Sequence, residues 1–98
     1  MNTTPTKLIN KYRVKLKGTD AYCALDYRFD HRGTLLPNAD RENAHVFGRT
    51  SDATHAMDRT AHTRELANAS VCFDFKPFDD LRFDGTLEIE PFTVEVPV

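Results

Sequence analysis

The chain is 98 residues long, 40% hydrophobic and 29% charged, with a formal net charge of −2. That size corresponds to a single domain, 1–98, with enough chain to build a core without metal or disulfide support. The balance excludes a disordered chain and a domain-wide basic footprint for nucleic acid, and no apolar run reaches the ~18 residues of a membrane span.

Residues 1–6 (MNTTPT) are polar and expected to fray. From Lys11 to Lys17 the chain alternates, with Tyr12, Val14 and Leu16 set against Lys11, Arg13, Lys15 and Lys17. A period of two marks a half-buried antiparallel strand. After the turn signal Gly18-Thr19-Asp20, a second alternation points Cys23, Leu25, Tyr27 and Phe29 inward. A four-residue loop, 18–21, then pairs Leu16 with Cys23, Val14 with Leu25, Tyr12 with Tyr27 and, on the outer face, Arg13 with Asp26.

Residues 31–50 are punctuated by Gly33, Pro37, Asn38 and Gly48; Asn38 is a candidate cap for a short helix to Phe47, with Gly48 as its stop. The clearest helix is 51–69, with Ser51 or Asp52 at its start and Asn68 at its end. At 100° per residue, Ala53, Ala56, Met57, Thr60, Arg64 and Ala67 share one face, and His55, Asp58, His62 and Glu65 lie on the other. Small residues let that inner face approach a sheet closely; Arg64 fits there if its stem packs and its guanidinium reaches an edge.

Val71, Phe73 and Phe75 predict a further strand, which Pro77 ends. Asp84-Gly85 signals a hairpin whose three-residue loop, 84–86, pairs Phe83 with Leu87 and Leu81 with Ile89. Beyond Glu90 the apolar parity switches from odd (Leu87, Ile89) to even (Phe92, Val94, Val96, Val98), so a bulge or bend is expected at Pro91. The expected fold is α+β: an antiparallel sheet of four to five strands with one main helix (51–69) packed on one face, in the order β-β-(α)-α-β-β-β.

The chemistry-bearing residues form no catalytic constellation. His55, Asp58 and His62 make a stripe on the helix, but the histidines are seven residues apart, whereas chelation from one helix needs a spacing of three or four. Cys23 and Cys72 have no CxxC spacing and point to a reduced, cytoplasmic setting. No cofactor or metal is expected.

The reading is therefore a small non-enzymatic binding protein whose partner is another protein or a nucleoprotein complex, with no membrane role. The short, self-contained, motif-free profile resembles that of small accessory proteins of phages and other mobile elements, inhibitors of host defence systems among them, which would imply occlusion of a surface of a host nucleoprotein complex. Two surfaces are candidates for the partner. One is acidic: Asp79, Asp80, Asp84, Glu88, Glu90 and Glu95. The other is the 31–50 segment with Arg32, Arg41, Phe47 and Arg49. Direct nucleic-acid binding through Lys11, Arg13, Lys15 and Lys17 is the alternative. A homodimer is a further partner expectation, through an open apolar edge at 92–98, against which Glu95 and Pro97 argue.

Overall fold

A computed structural model describes residues 5–69 and 76–98. Its elements are β1 (Thr6–Leu16), β2 (Tyr22–Asp26), β3 (Thr34–Ala39), a 3-10 turn (Arg41–Asn43), α1 (Thr50–Ala69), a second 3-10 turn (Lys76–Leu81) and β4 (Leu87–Pro97). The four strands form one antiparallel sheet in the order β3-β2-β1-β4. The class is the expected α+β, with one main helix against the sheet; the chain order is β-β-β-α-β.

β1 is the central element, and its alternation works as expected. Val14 is buried with Tyr12 packed beside it, while Arg13 and Lys15 face the other way, opposite Glu90 and Glu88 of β4. That pairing of a basic strand with an acidic one holds the two ends of the chain in a single continuous register from Thr6↔Pro97 to Leu16↔Leu87. The β1–β2 hairpin also forms, but two residues out of the expected register: Lys15 pairs with Tyr22, and the Leu16 carbonyl accepts from the Thr19 amide and hydroxyl. Thr19 closes the turn one residue earlier than expected, with Gly18 at φ 79°, a conformation that glycine adopts without strain. A two-residue shift preserves the faces, so Cys23 stays buried. Burial pushes its thiol up to about 12.

The two strands then diverge, and residues 45–47 fill the gap. Phe47 exchanges both backbone hydrogen bonds with Tyr12, at 3.0 and 2.8 Å, and the His45 amide donates to the Cys23 carbonyl at 3.0 Å. The Phe47 ring enters the core beside Val14, Cys23, Leu35, Ala53 and Ala56. Residues 38–47 are thus not a helix: a strand, a single 3-10 turn capped by Asp40, and this wedge occupy 34–47. Leu35 and Leu36 enter two separate apolar clusters, which is why the strand carries an apolar run instead of an alternation. Pro37 and Asn38 fall where β3 slips against β2, between Leu36↔Ala24 and Ala39↔Tyr22, a bulge that accommodates a proline in a strand.

α1 presents the expected face. Ala53, Ala56, Thr60 and Ala67 are buried, and His55, Asp58, His62 and Glu65 are exposed. The helix begins at Thr50, so Ser51 and Asp52 lie inside its first turn. Alanines bury little area, so two polar contacts tie the helix down. Thr60 Oγ1 accepts from the Leu35 amide at 2.8 Å and donates to the Ala56 carbonyl at 2.7 Å. Arg64 donates from Nε to the Leu81 carbonyl at 3.0 Å and from NH2 to the Phe83 carbonyl at 2.6 Å, with its guanidinium 4.0 Å over the Phe83 ring.

The same arginine explains why the 81–83/87–89 hairpin does not form. It occupies the carbonyls of Leu81 and Phe83, and Leu81 is buried against Leu36 and Ala67. The predicted strand at 71–75 lies outside the described residues. No bulge occurs at Pro91 either, because the β1–β4 register runs through it without a shift.

Replacing Thr60 with valine keeps the volume but leaves the buried Leu35 amide without an acceptor. The expected loss is about 1–3 kcal/mol, read as a lowered urea midpoint at unchanged slope. Thr63→Val, which removes only a part-buried bond to the Arg59 carbonyl, should stay within about 0.5 kcal/mol.

Candidate functional site

Past Tyr12 no third strand accompanies β1 and β4 among the described residues, and the pair continues as a two-stranded arm made of residues 6–11 and 92–97. At ~3.4 Å per residue the arm extends about 20 Å. It accounts for principal extents of 66 × 25 × 18 Å and a radius of gyration of 16.2 Å, against about 13 Å for an equally long rounded domain.

Because the register is unbroken, faces can be assigned by parity. Tyr12, Val14, Leu87 and Ile89 face the helix and the core. The outer face therefore carries Lys7, Ile9, Lys11, Arg13 and Lys15 on β1 beside Val96, Val94, Phe92, Glu90 and Glu88 on β4. The parity switch at Pro91 is thus a switch of face: β4 gives leucine and isoleucine to the core, then phenylalanine and two valines to the opposite side. Ile9, Phe92, Val94 and Val96 are half-buried, and none belongs to either apolar cluster among the described residues.

The proximal half of this face is a charge network. The Tyr22 hydroxyl donates to Glu90 Oε1 at 2.9 Å, and Arg41 Nε stands 3.9 Å from Glu90 Oε2. Lys15 lies 3.6 Å from Glu88, and the Arg13 guanidinium covers the Phe92 ring at 3.7 Å. Arg13 Nε and Glu90 Oε2 are buried atoms that make no hydrogen bond among the described residues. The hydrogen bond to Glu90 raises the Tyr22 phenol above its usual range, with burial and the carboxylate charge adding to the effect.

Of the residues singled out in the sequence, Lys11, Arg13, Lys15, Glu88, Glu90 and Arg41 meet here, and the rest do not. Lys17 lies beyond the end of β1. Glu95 faces the other side of the arm, opposite Leu8. Asp79 pairs with Arg82, and Asp80 with Arg28, which also grips Asp26; Asp84 is exposed in the loop before β4. Arg32 grips Asp30 and holds that carboxyl down at about 2. Phe47 is a core residue, and Arg49 is exposed just before α1. Sequence reasoning missed the arm stripe of Ile9, Phe92, Val94 and Val96, although the parity switch at Pro91 was its signal.

A groove of about 290 Å³ between α1 and residues 85–87 is lined by Met57, Asp58, Arg64 and Leu87 among others; its arginine is committed to the two carbonyls already described. Among the described residues no group of three or more His, Cys, Asp or Glu is placed to hold a metal ion, and no helix is long and apolar enough to cross a membrane.

In an alkaline absorbance titration one of the three tyrosines should ionise late, and Tyr22→Phe should remove that component. A folded-state value raised above the unfolded one means that the stabilisation is complete below about pH 10 and fades as the phenol ionises at higher pH.

No family model, no curated protein and no solved structure matches this chain, so its function is read from the geometry alone.

Proposed function

We propose that the chain is a non-enzymatic binding protein that holds another protein, alone or within a nucleoprotein complex, on the outer face of its two-stranded arm. The observation that carries this reading is the apolar stripe of Ile9, Phe92, Val94 and Val96, flanked by Lys7 and Lys11, on the side of the sheet that faces away from the helix and both core clusters. Apolar residues on a projecting element, rimmed by charges, are the composition of a protein-binding patch. The stacked pair of Arg13 and Phe92 adds the residue types that anchor interfaces. An inhibitor that acts by occluding a surface would use the arm in this way, laying it along a groove too narrow for the body of the domain.

Nucleic-acid binding is the second reading, favoured by Lys7 and Lys11, which lie opposite Val96 and Phe92 with no carboxylate directly across. A two-stranded ribbon fits the ~12 Å major groove. Arg13 and Lys15, however, are cross-strand partners of Glu90 and Glu88, which leaves the stripe much less positive than its sequence suggests.

A photo-crosslinking amino acid at position 94 should yield one discrete protein adduct in cells of the source organism, resistant to nuclease, while the same probe at His62 on the exposed helix face yields none. Protein adducts from position 62 and none from 94 would refute the arm as the binding surface. Adducts consisting only of nucleic acid would put the second reading first.

A further inference from the structure

We propose that the open edge of β1 on the arm pairs, antiparallel, with the same edge of a second copy of this chain about a two-fold axis at Leu8. The observation behind it is the direction of backbone groups, which is independent of the outer-face stripe.

In an antiparallel ladder, alternate residues of a strand direct both N–H and C=O to one neighbour, and the residues between direct theirs to the other. The phase of β1 is set by its own bonds. Leu16 donates to the Ala21 carbonyl and Tyr12 exchanges both bonds with Phe47, so even-numbered residues of β1 point away from β4; Lys17, which is odd, donates to Thr86 on the β4 side. Continued along the unbroken register, this phase leaves the backbone groups of Thr6, Leu8 and Asn10 directed outward, past the point where Phe47 is the last partner. Thr6, Leu8 and Asn10 are exposed, Leu8 at 65%.

The other edges among the described residues are obstructed at particular positions. In β4 the outward-directed residues are the odd ones, because Pro91 lies opposite Tyr12, and both prolines of the strand, Pro91 and Pro97, are in that phase. They remove donors from the free edge at no cost to the β1–β4 ladder and so protect it from pairing. In β3 the outward Leu35 amide is taken by Thr60 of the helix. The 92–98 edge expected from the sequence to accept a second copy is thus the protected one, and among the described residues the β1 edge is left open.

A second copy fits that edge better than an arbitrary strand because the edge is complementary to itself. With Leu8 on the axis, Leu8 meets Leu8, Thr6 meets Asn10, and Lys7 lies opposite Ile9, where its stem packs and no like charges face each other. The three outward-directed positions then form three pairs, each exchanging two backbone bonds. Pairing turns two isolated ribbons, marginal on their own in water, into a central four-stranded sheet.

The test is sedimentation equilibrium of the full chain from about 10 µM to about 1 mM, the range for a contact this small. The mass should rise from 11.2 kDa toward twice that value. Leu8→Pro removes an outward N–H and no β1–β4 bond, so it should keep the circular dichroism of the parent and stay at 11.2 kDa throughout. Leu8→Lys, which leaves the backbone intact and puts two ammonium groups at the axis, should behave in the same way. Thr93→Pro, on the β4 edge, should still dimerise. A parent chain that remains at 11.2 kDa up to the highest concentration overturns the proposal, as does doubling that persists in both Leu8 variants. Loss of doubling in Thr93→Pro alone would transfer the contact to β4 and equally overturn it. None of these outcomes bears on crosslinking from position 94, so the two readings stand or fall separately.

Discussion

The backbone bonds between Tyr12 and Phe47 are the constraint on which the remaining arrangement depends. β1 commits its odd-numbered residues to β4 along its whole length, while its even-numbered residues change partner twice: from Ala21 at Leu16 to Phe47 at Tyr12, and then to none among the described residues at Leu8. The middle exchange carries the second and third strands away from β1 and, by closing over Phe47, supplies a large buried aromatic to the core cluster that the alanine face of the helix meets. Without it the cluster in which sheet and helix meet would lose the largest of its buried side chains among the described residues. Its interior contribution is large for one residue, since removing a buried phenylalanine costs about 3–5 kcal/mol in typical cores.

Polar contacts do for α1 what bulk does in most amphipathic helices. Among the described residues, the buried side chains on the helix are three alanines and a threonine. They allow close approach but remove little apolar surface from water. Thr60 and Arg64 compensate by donating to or accepting from the backbone of the elements they touch, so the helix position is specified by hydrogen-bond geometry at two points. A guanidinium shared between two carbonyls and an aromatic ring is more exacting than the same area of leucine would be.

Much of this was legible from residue order. The helical period separated the Ala53–Ala67 face from His55, Asp58, His62 and Glu65, and the charge alternation of Lys11–Lys17 matched that of Glu88 and Glu90, which are its neighbours in the sheet. What escaped has tertiary causes. β3 is covered from two sides and contains Pro37 at a bulge, so it shows neither alternation nor strand-like punctuation. Asp84-Gly85 has the composition of a hairpin turn, yet an arginine twenty residues upstream takes the carbonyls the hairpin would need. The change of apolar parity at Pro91 was visible, but a bulge and a second apolar face leave the same trace in a sequence. Only the uninterrupted register distinguishes them, and with them the arm from an ordinary edge strand.

The pairing of β1 with β4 also has a consequence for how the chain acquires its fold. Every contact of that ladder joins residues from opposite ends of the sequence, the class of contact that is slowest to form because loop closure precedes any gain. During synthesis β1 is made before β4, so the central strand stays without the neighbour that covers one of its edges while the intervening residues are added. The hairpin to β2 and the Phe47 bridge can form from residues already present, and they engage the even-numbered amides first. The arm, built wholly from the β1–β4 ladder, cannot be completed before β4 is made.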